Sequence, residues 1–375
     1  MKKIALLTWF SNGNYGTATQ AYALKSILSE FGECSIIPYK SEKYKYSIDD
    51  LLNSRKRHIL FIRLQDKMFL KTRKVYADGE KNKSAAMRSF FYQYLGINQT
   101  SSDVKELQKI ESEYDCFVCG SDQIWNPNHY NPIFFLDFVK EKKKISYAPS
   151  FGVSNLDGFP DIVSAIGEML SKFDSISVRE ESGKRIVNKL INRDVQVCLD
   201  PTLMLSVEKW VQFANNSAIT LPSHYIYCLF LGDYKRHVCS IDEVSKVLSI
   251  DVIHHAYNRI DYFSKYKKLS GLSPVDFVNA IKNASFVCTD SFHATVFAIL
   301  FHKPFICFRR FSDKDKKSQN TRVENLLSVL SLLNRLDMEC RNKASLLNID
   351  FGKSDNILNE LRKQSMDYLN RALSD

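Results

Sequence analysis

Asp290, Ser291 and His293 stand together in Thr289-Asp290-Ser291-Phe292-His293-Ala294, between the apolar run Ala284–Cys288 and a second apolar segment ending at Phe301. That spacing predicts a strand, a tight turn and a helix, with Asp290 or Ser291 as the N-cap and His293 in the first turn. Free backbone N–H groups and the positive end of the helix dipole then face whatever lies above the strand, which suits a small anion. A histidine beside that anion can move a proton near neutral pH. A buried histidine at a helix start is the plainer alternative.

Three other clusters have the same setting, a polar loop after a strand-like run. In Gly13-Asn14-Tyr15-Gly16-Thr17-Ala18-Thr19-Gln20, two glycines allow a sharp turn and close approach to a ligand. Asn14 and Gln20 can hydrogen-bond sugar hydroxyls there, and Tyr15 can stack on a sugar ring. No G-x-G-x-x-G pattern marks a dinucleotide site. In Gly120-Ser121-Asp122-Gln123-Ile124-Trp125-Asn126-Pro127, Asp122 can orient or deprotonate a hydroxyl beside Ser121, and Trp125 suits a carbohydrate face; a turn capped by Asp122 is the alternative. In Ser177-Val178-Arg179-Glu180, the planar fork of Arg179 matches a carboxylate or phosphate, or an internal acid such as Glu180. The helix start Asn320-Thr321-Arg322 offers a second anion site after the charged loop Arg309–Lys317.

The elements that must position these groups alternate. Ile4–Phe10, Cys34–Tyr39, Asp115–Cys119, Lys144–Ala148, Ser175–Val178 and Val195–Leu199 read as strands in the first half, and Tyr225–Leu231, Asp251–His254, Phe286–Cys288 and Pro304–Phe308 in the second. Helical segments separate them. Such alternation predicts an α/β protein with parallel sheets covered on both faces and ligands outside the carboxyl ends of the strands. The 375 residues exceed what one core usually serves. Turn-forming residues near 215–223 divide the chain into domains 1–215 and 216–375, with a cleft between them. A basic helical insertion is expected over 48–95, and a final helix over 357–373 that packs back on the first domain.

Composition narrows the function classes. The net charge is +10, and residues 55–88 hold eleven Lys or Arg against three Asp or Glu. Interleaved apolar residues make this a basic amphipathic segment, fit for an anionic membrane surface or for packing against the domain. No nucleic-acid recognition motif accompanies it. The nine cysteines lie mostly in strand-like runs. Cys116 and Cys119 point to opposite faces of an extended strand, so a reduced, cytoplasmic protein without a zinc site is expected. No metal-ligand set stands out, and His254-His255 is not spaced for one face. The Met1–Phe10 segment is too short for a signal sequence, and no apolar run reaches the roughly 20 residues of a membrane span.

Taken together, Gly13–Leu24, Gly120–Pro127, Ser177–Glu180, Leu199-Asp200-Pro201-Thr202 and Asp290–Ile299 resemble the polysaccharide pyruvyl transferase family, in order from about residue 3 to about residue 335. The resemblance implies two Rossmann-like domains arranged as in GT-B glycosyltransferases. It also implies transfer of the enolpyruvyl group of phosphoenolpyruvate to a sugar, usually as a cyclic ketal on two hydroxyls, with no cofactor. Arg179, Arg322, Asn320 and the Asp290-Ser291 turn would then hold the donor, His293 would be the acid, and Asp122 the base. Asn14, Tyr15, Gln20, Ser121 and Trp125 would face the acceptor, a cell-surface or lipid-linked sugar. Ala294 departs from the family's glycine after the histidine. Two rival functions share the frame: a nucleotide-sugar glycosyltransferase, for which Glu324 is the nearest ribose-binding carboxylate, and a non-catalytic glycan-binding member.

Overall fold

A computed structural model describes residues 1–10, 13–39, 74–311, 320–340 and 342–374. Two parallel sheets carry the chain. The first contains β1 (Lys3–Leu7), β2 (Glu33–Ile36), β3 (Cys116–Gly120), β4 (Lys143–Tyr147), β5 (Ser175–Val178) and β6 (Gln196–Val197), in the order β2-β1-β3-β4-β5-β6. The second contains β7 (Ile226–Leu229), β8 (Val252–His255), β9 (Lys267–Leu269), β10 (Phe286–Thr289) and β11 (Phe305–Cys307), in the order β11-β10-β7-β8-β9. Chain order reverses between β1 and β3 in one sheet and between β7 and β10 in the other. Those reversals open crevices at the carboxyl ends of the strands.

The apolar runs form strands because both faces are covered. Every residue of β3, β7 and β10 is buried. Cys116 belongs to the core on one face of the first sheet and Cys119 to the core on the other, and all described cysteines are free thiols. Strand β9 escapes a hydrophobic reading because it is the edge sequence Lys-Lys-Leu, largely exposed. It pairs with β8 through its backbone.

The helix Tyr15–Leu28 joins the two halves. It buries Tyr15, Ala18, Ala21, Leu24, Ile27 and Leu28 in a core that also takes Phe277, Val278, Ile281, Val296 and Phe297 from the second domain. Tyr15 stacks on Phe277 at 5.5 Å, and Trp210 meets Phe297 edge-on at 4.8 Å. Full burial of each such aromatic contributes on the order of 1.5–3 kcal/mol. The strand ends of both sheets are therefore held in one place.

The final helix begins at Phe351, six residues before the expected Ile357, and runs to Leu373. It returns to the first sheet, where Tyr368 Oη donates to the Ser146 carbonyl (2.7 Å) and Leu199 N–H donates to Ser365 Oγ (3.0 Å). Of the basic segment, residues 55–73 lie outside the described residues. The remainder falls in the helix Lys74–Phe90, which buries Tyr76, Lys83, Met87 and Phe90. Lys83 Nζ lies 4.0 Å from the centre of the Tyr257 ring in the second domain. Among the described residues, no helix is long and apolar enough to cross a membrane, and no group of His, Cys, Asp or Glu could hold a metal.

Candidate active site

The site begins with Arg179, carried at the end of β5. Its Nη1 lies 3.0 Å from Asp200 Oδ2, and both side chains are almost wholly buried. Its Nη2 donates to Ser121 Oγ, and that hydroxyl donates to the Ala148 carbonyl at 3.1 Å. Asp200 caps the short helix Pro201–Met204. Its Oδ1 accepts from Thr202 N–H (2.9 Å) and Thr202 Oγ1 (2.6 Å), which turns Oδ2 toward Arg179 and toward His293 Nε2 at 3.6 Å. Burial alone would raise the Asp200 carboxyl, but the charges of Arg179 and His293 and the hydrogen bonds from Thr202 hold it well below the usual carboxylate range.

His293 arrives from the other domain, one residue into the helix Phe292–Leu300 that follows β10. Its ring lies against Gly16, where a Cβ would fall 2.1 Å from Nδ1. Only glycine fits between this ring and the first turn of the Tyr15–Leu28 helix. The loop after β3 brings Asp122. It sits at φ 56°, a left-handed conformation costly for a side-chain-bearing residue. Asp122 Oδ2 accepts from Thr17 Oγ1 at 2.7 Å, Oδ1 accepts from Gln123 N–H at 2.9 Å, and Arg322 Nη2 lies 4.0 Å away.

Phe292 separates two cations. Its ring centre is 4.9 Å from the Arg322 guanidinium carbon and 5.7 Å from that of Arg179, a contact in which each cation meets the negative ring face. Arg322 Nε also lies 3.8 Å from Glu180 Oε1. Burial, then the like charge of Arg179, lowers the Arg322 guanidinium. Burial raises the Glu180 carboxyl despite both arginines. Asp200 Oδ2 is met by Arg179 Nη1, but among the described residues Arg179 Nε, Arg322 Nε, Glu180 Oε1 and His293 Nε2 are buried with no hydrogen-bond partner. Each such atom costs about 1–3 kcal/mol, so the cluster is built for polar atoms that a ligand would supply.

Charged groups from two Rossmann-like domains thus meet at the strand ends. The sequence matches the polysaccharide pyruvyl transferase family over residues 14–312. The chain belongs to that family. Membership makes it a transferase with a sugar acceptor. No curated protein matches it. Among solved structures it is similar to the UDP-N-acetylglucosamine 2-epimerase of Rickettsia bellii, at 10% identity and a TM-score of 0.50, covering 100% of this chain and 97% of that one. It is equally similar to the UDP-GlcNAc 2-epimerase of Methanocaldococcus jannaschii, at 12% identity and a TM-score of 0.50, covering 97% and 100%. These likenesses show the fold alone, a GT-B-type pair of domains.

Within this pyruvyl transferase, several residues expected at the acceptor are engaged elsewhere. Trp125 is 1% exposed; it stacks on Phe135 at 5.2 Å and donates its indole N–H to the Phe134 carbonyl. It is a core residue and presents no face to a sugar. Tyr15 is likewise buried between His255 and Phe277. Gln20 points back under its own loop, where Nε2 donates to Thr8 Oγ1 and to the Trp9 and Thr17 carbonyls. Asn14 caps its helix by accepting from Gly16 and Thr17 N–H. Ser121 holds Arg179 instead of facing the acceptor.

On the donor side, Asp290 accepts from Leu231 and Gly232 N–H at 2.6 and 2.8 Å, so it ties loops together. Ser291 is the N-cap of the His293 helix, accepting from Ala294 N–H. Asn320 binds the backbone of Phe311. Ala294, at the family's glycine position, packs in the core. Glu324 is paired with Arg309 at 2.7 Å, which removes the nearest ribose-binding carboxylate. Four residues of the cluster were missed in the sequence as site candidates: Asp200, Glu180, Thr17 and Phe292. Asp200 had a signal, since it ends a strand as the other site residues do.

Proposed function

We propose that this cleft transfers the pyruvyl group of phosphoenolpyruvate to two hydroxyls of a sugar in a cell-surface polysaccharide or its lipid-linked precursor, forming a ketal and releasing phosphate. The observation that carries the reading is the pair of guanidiniums flanking Phe292, each with a buried, unsatisfied Nε, beside His293. Phosphoenolpyruvate carries a carboxylate and a phosphate close together; Arg322 offers a planar fork for one, and Arg179, whose two Nη atoms are held by Asp200 and Ser121, offers its Nε to the other.

In this reading His293 donates a proton to the methylene carbon of the donor, leaving cationic character at the adjacent carbon. A sugar hydroxyl attacks that carbon and gives its proton to Asp122. Phosphate then leaves with the proton that Asp122 took, and a second hydroxyl attacks to close the ketal, giving its proton back to His293. Asp200, 3.6 Å from Nε2, keeps the imidazole oriented, and the guanidiniums stabilise the departing phosphate. The surplus of positive charge over residues 55–88 fits a reaction at the cytoplasmic face of an anionic membrane.

The test is thermal unfolding with millimolar phosphoenolpyruvate, and then with a nucleotide sugar, in wild type and Arg322→Ala. Ligand at 100 times its Kd stabilises by about 2.7 kcal/mol. A rise with phosphoenolpyruvate that Arg322→Ala removes, followed by phosphate release when a sugar acceptor is added, is expected. Stabilisation by the nucleotide sugar alone would make the chain a glycosyltransferase.

A further inference from the structure

The helix Tyr15–Leu28 touches both groups that handle protons in the proposed reaction. Consecutive residues of its first turn make the contacts. Gly16 is seated against the His293 ring, with no room for a Cβ, and Thr17 Oγ1 donates to Asp122 Oδ2 at 2.7 Å. The two groups belong to different domains, since Asp122 follows β3 and His293 follows β10. The helix is itself fixed at both levels. Asn14 caps its start, and its buried face packs on both domains through the shared core.

We infer that this first turn is the spacer that sets the separation of acid and base across the cleft, with Gly16 and Thr17 as its two positioning residues. The inference rests on the assignment of His293 and Asp122 in the proposed function. Neither residue contributes a group to the chemistry. Thr17 fixes which way the Asp122 carboxylate faces, since Oδ1 is already held by Gln123 N–H. Gly16 fixes how far the imidazole stands from it. A displacement of the order of 1 Å can cost about 10²-fold in rate, so the contacts matter to turnover far more than to binding.

Double-mutant cycles test this. Thr17→Val is expected to lower kcat about tenfold with the KM for phosphoenolpyruvate within about twofold, and Thr17→Ser to restore it. In an Asp122→Ala background, which leaves no atom for the Thr17 hydroxyl to pair with, Thr17→Val should cost nothing further. Gly16→Ala should lower kcat in wild type and have no added effect once His293 is glycine, which removes both the ring and the Cβ that the added methyl would meet. A Thr17→Ser enzyme as slow as Thr17→Val, or losses that simply add in the double variants, would overturn the spacer. The thermal-unfolding midpoints of the same four Thr17/Asp122 proteins read the coupling without any turnover. If wild type consumes no phosphoenolpyruvate, the proposed reaction fails, and additive midpoints would separately remove the Thr17–Asp122 contact.

Discussion

The two domains end their strands in polar loops but use their carboxylates differently. In the second domain Asp290 takes the N–H groups of Leu231 and Gly232 with its two oxygens, Arg310 Nε standing further off at 3.4 Å, and Asp261 takes those of Tyr257 and Asn258 at 3.0 and 2.7 Å. These acids hold loops. In the first domain Asp200, Asp122 and Glu180 each turn an oxygen toward a charged side chain: Arg179 and His293 for Asp200, Arg322 for the other two. These acids hold charges. Loss of charge at the two edges should therefore show differently, in the pH dependence of stability for one set and in chemistry for the other.

The largest effect expected is on turnover. His293→Ala should reduce pyruvyl transfer by about 10²–10⁴-fold while stabilisation by phosphoenolpyruvate persists, because the guanidiniums remain. Steady-state kinetics beside a melting curve separates the two. Near-normal turnover would remove His293 from the proton path and leave the first-domain edge to do the chemistry alone.

Next in size is the Arg179–Asp200 pair. Arg179→Ala strands a buried carboxylate and should cost about 3–5 kcal/mol in denaturant unfolding. Asp200→Asn added to it should recover part of that stability without recovering phosphoenolpyruvate binding. A single-variant cost below about 1 kcal/mol would mean that Asp200 is compensated from elsewhere and that the two edges are more alike than they look.

Much of this architecture was legible in the sequence, and the limits have physical reasons. Buried parallel strands read as apolar runs, so ten of the eleven could be placed; β9 could not, because an edge strand pairs through its backbone whatever its side chains. Arg179, Arg322, Asp122 and His293 do meet. The aromatic expectations failed because Trp125 and Tyr15 sit one turn from polar neighbours yet face the core, and sequence spacing at a loop does not fix direction. Asp200 and Thr17 were passed over because their roles lie in contacts with residues distant in sequence, 93 residues away for Asp200 and His293 and 105 for Thr17 and Asp122.

The smallest effect sharpens the second-domain half of the contrast. Burial pushes the Asp261 carboxyl up to about 7, against the lowering by its two backbone hydrogen bonds. Its Oδ1 has no hydrogen-bond partner and lies 3.8 Å from His254 Nε2; burial, with Lys268 nearby, lowers His254 to about 4, so that imidazole is neutral near pH 7. The folded state thus binds the Asp261 proton more tightly than the unfolded chain, whose aspartate titrates near about 3.9. Between those values the fold holds more protons, and this group's contribution to stability falls as pH rises from about 4 to about 7. Asp261→Asn can keep both backbone contacts through its amide oxygen and carries no charge to bury. The variant should match wild type at pH 4 and exceed it at pH 8 by about 1 kcal/mol or more, with phosphoenolpyruvate binding unchanged. Parallel stability curves for the two proteins across that range would show that Asp261 is not a buried, loop-holding acid of the kind that distinguishes this edge.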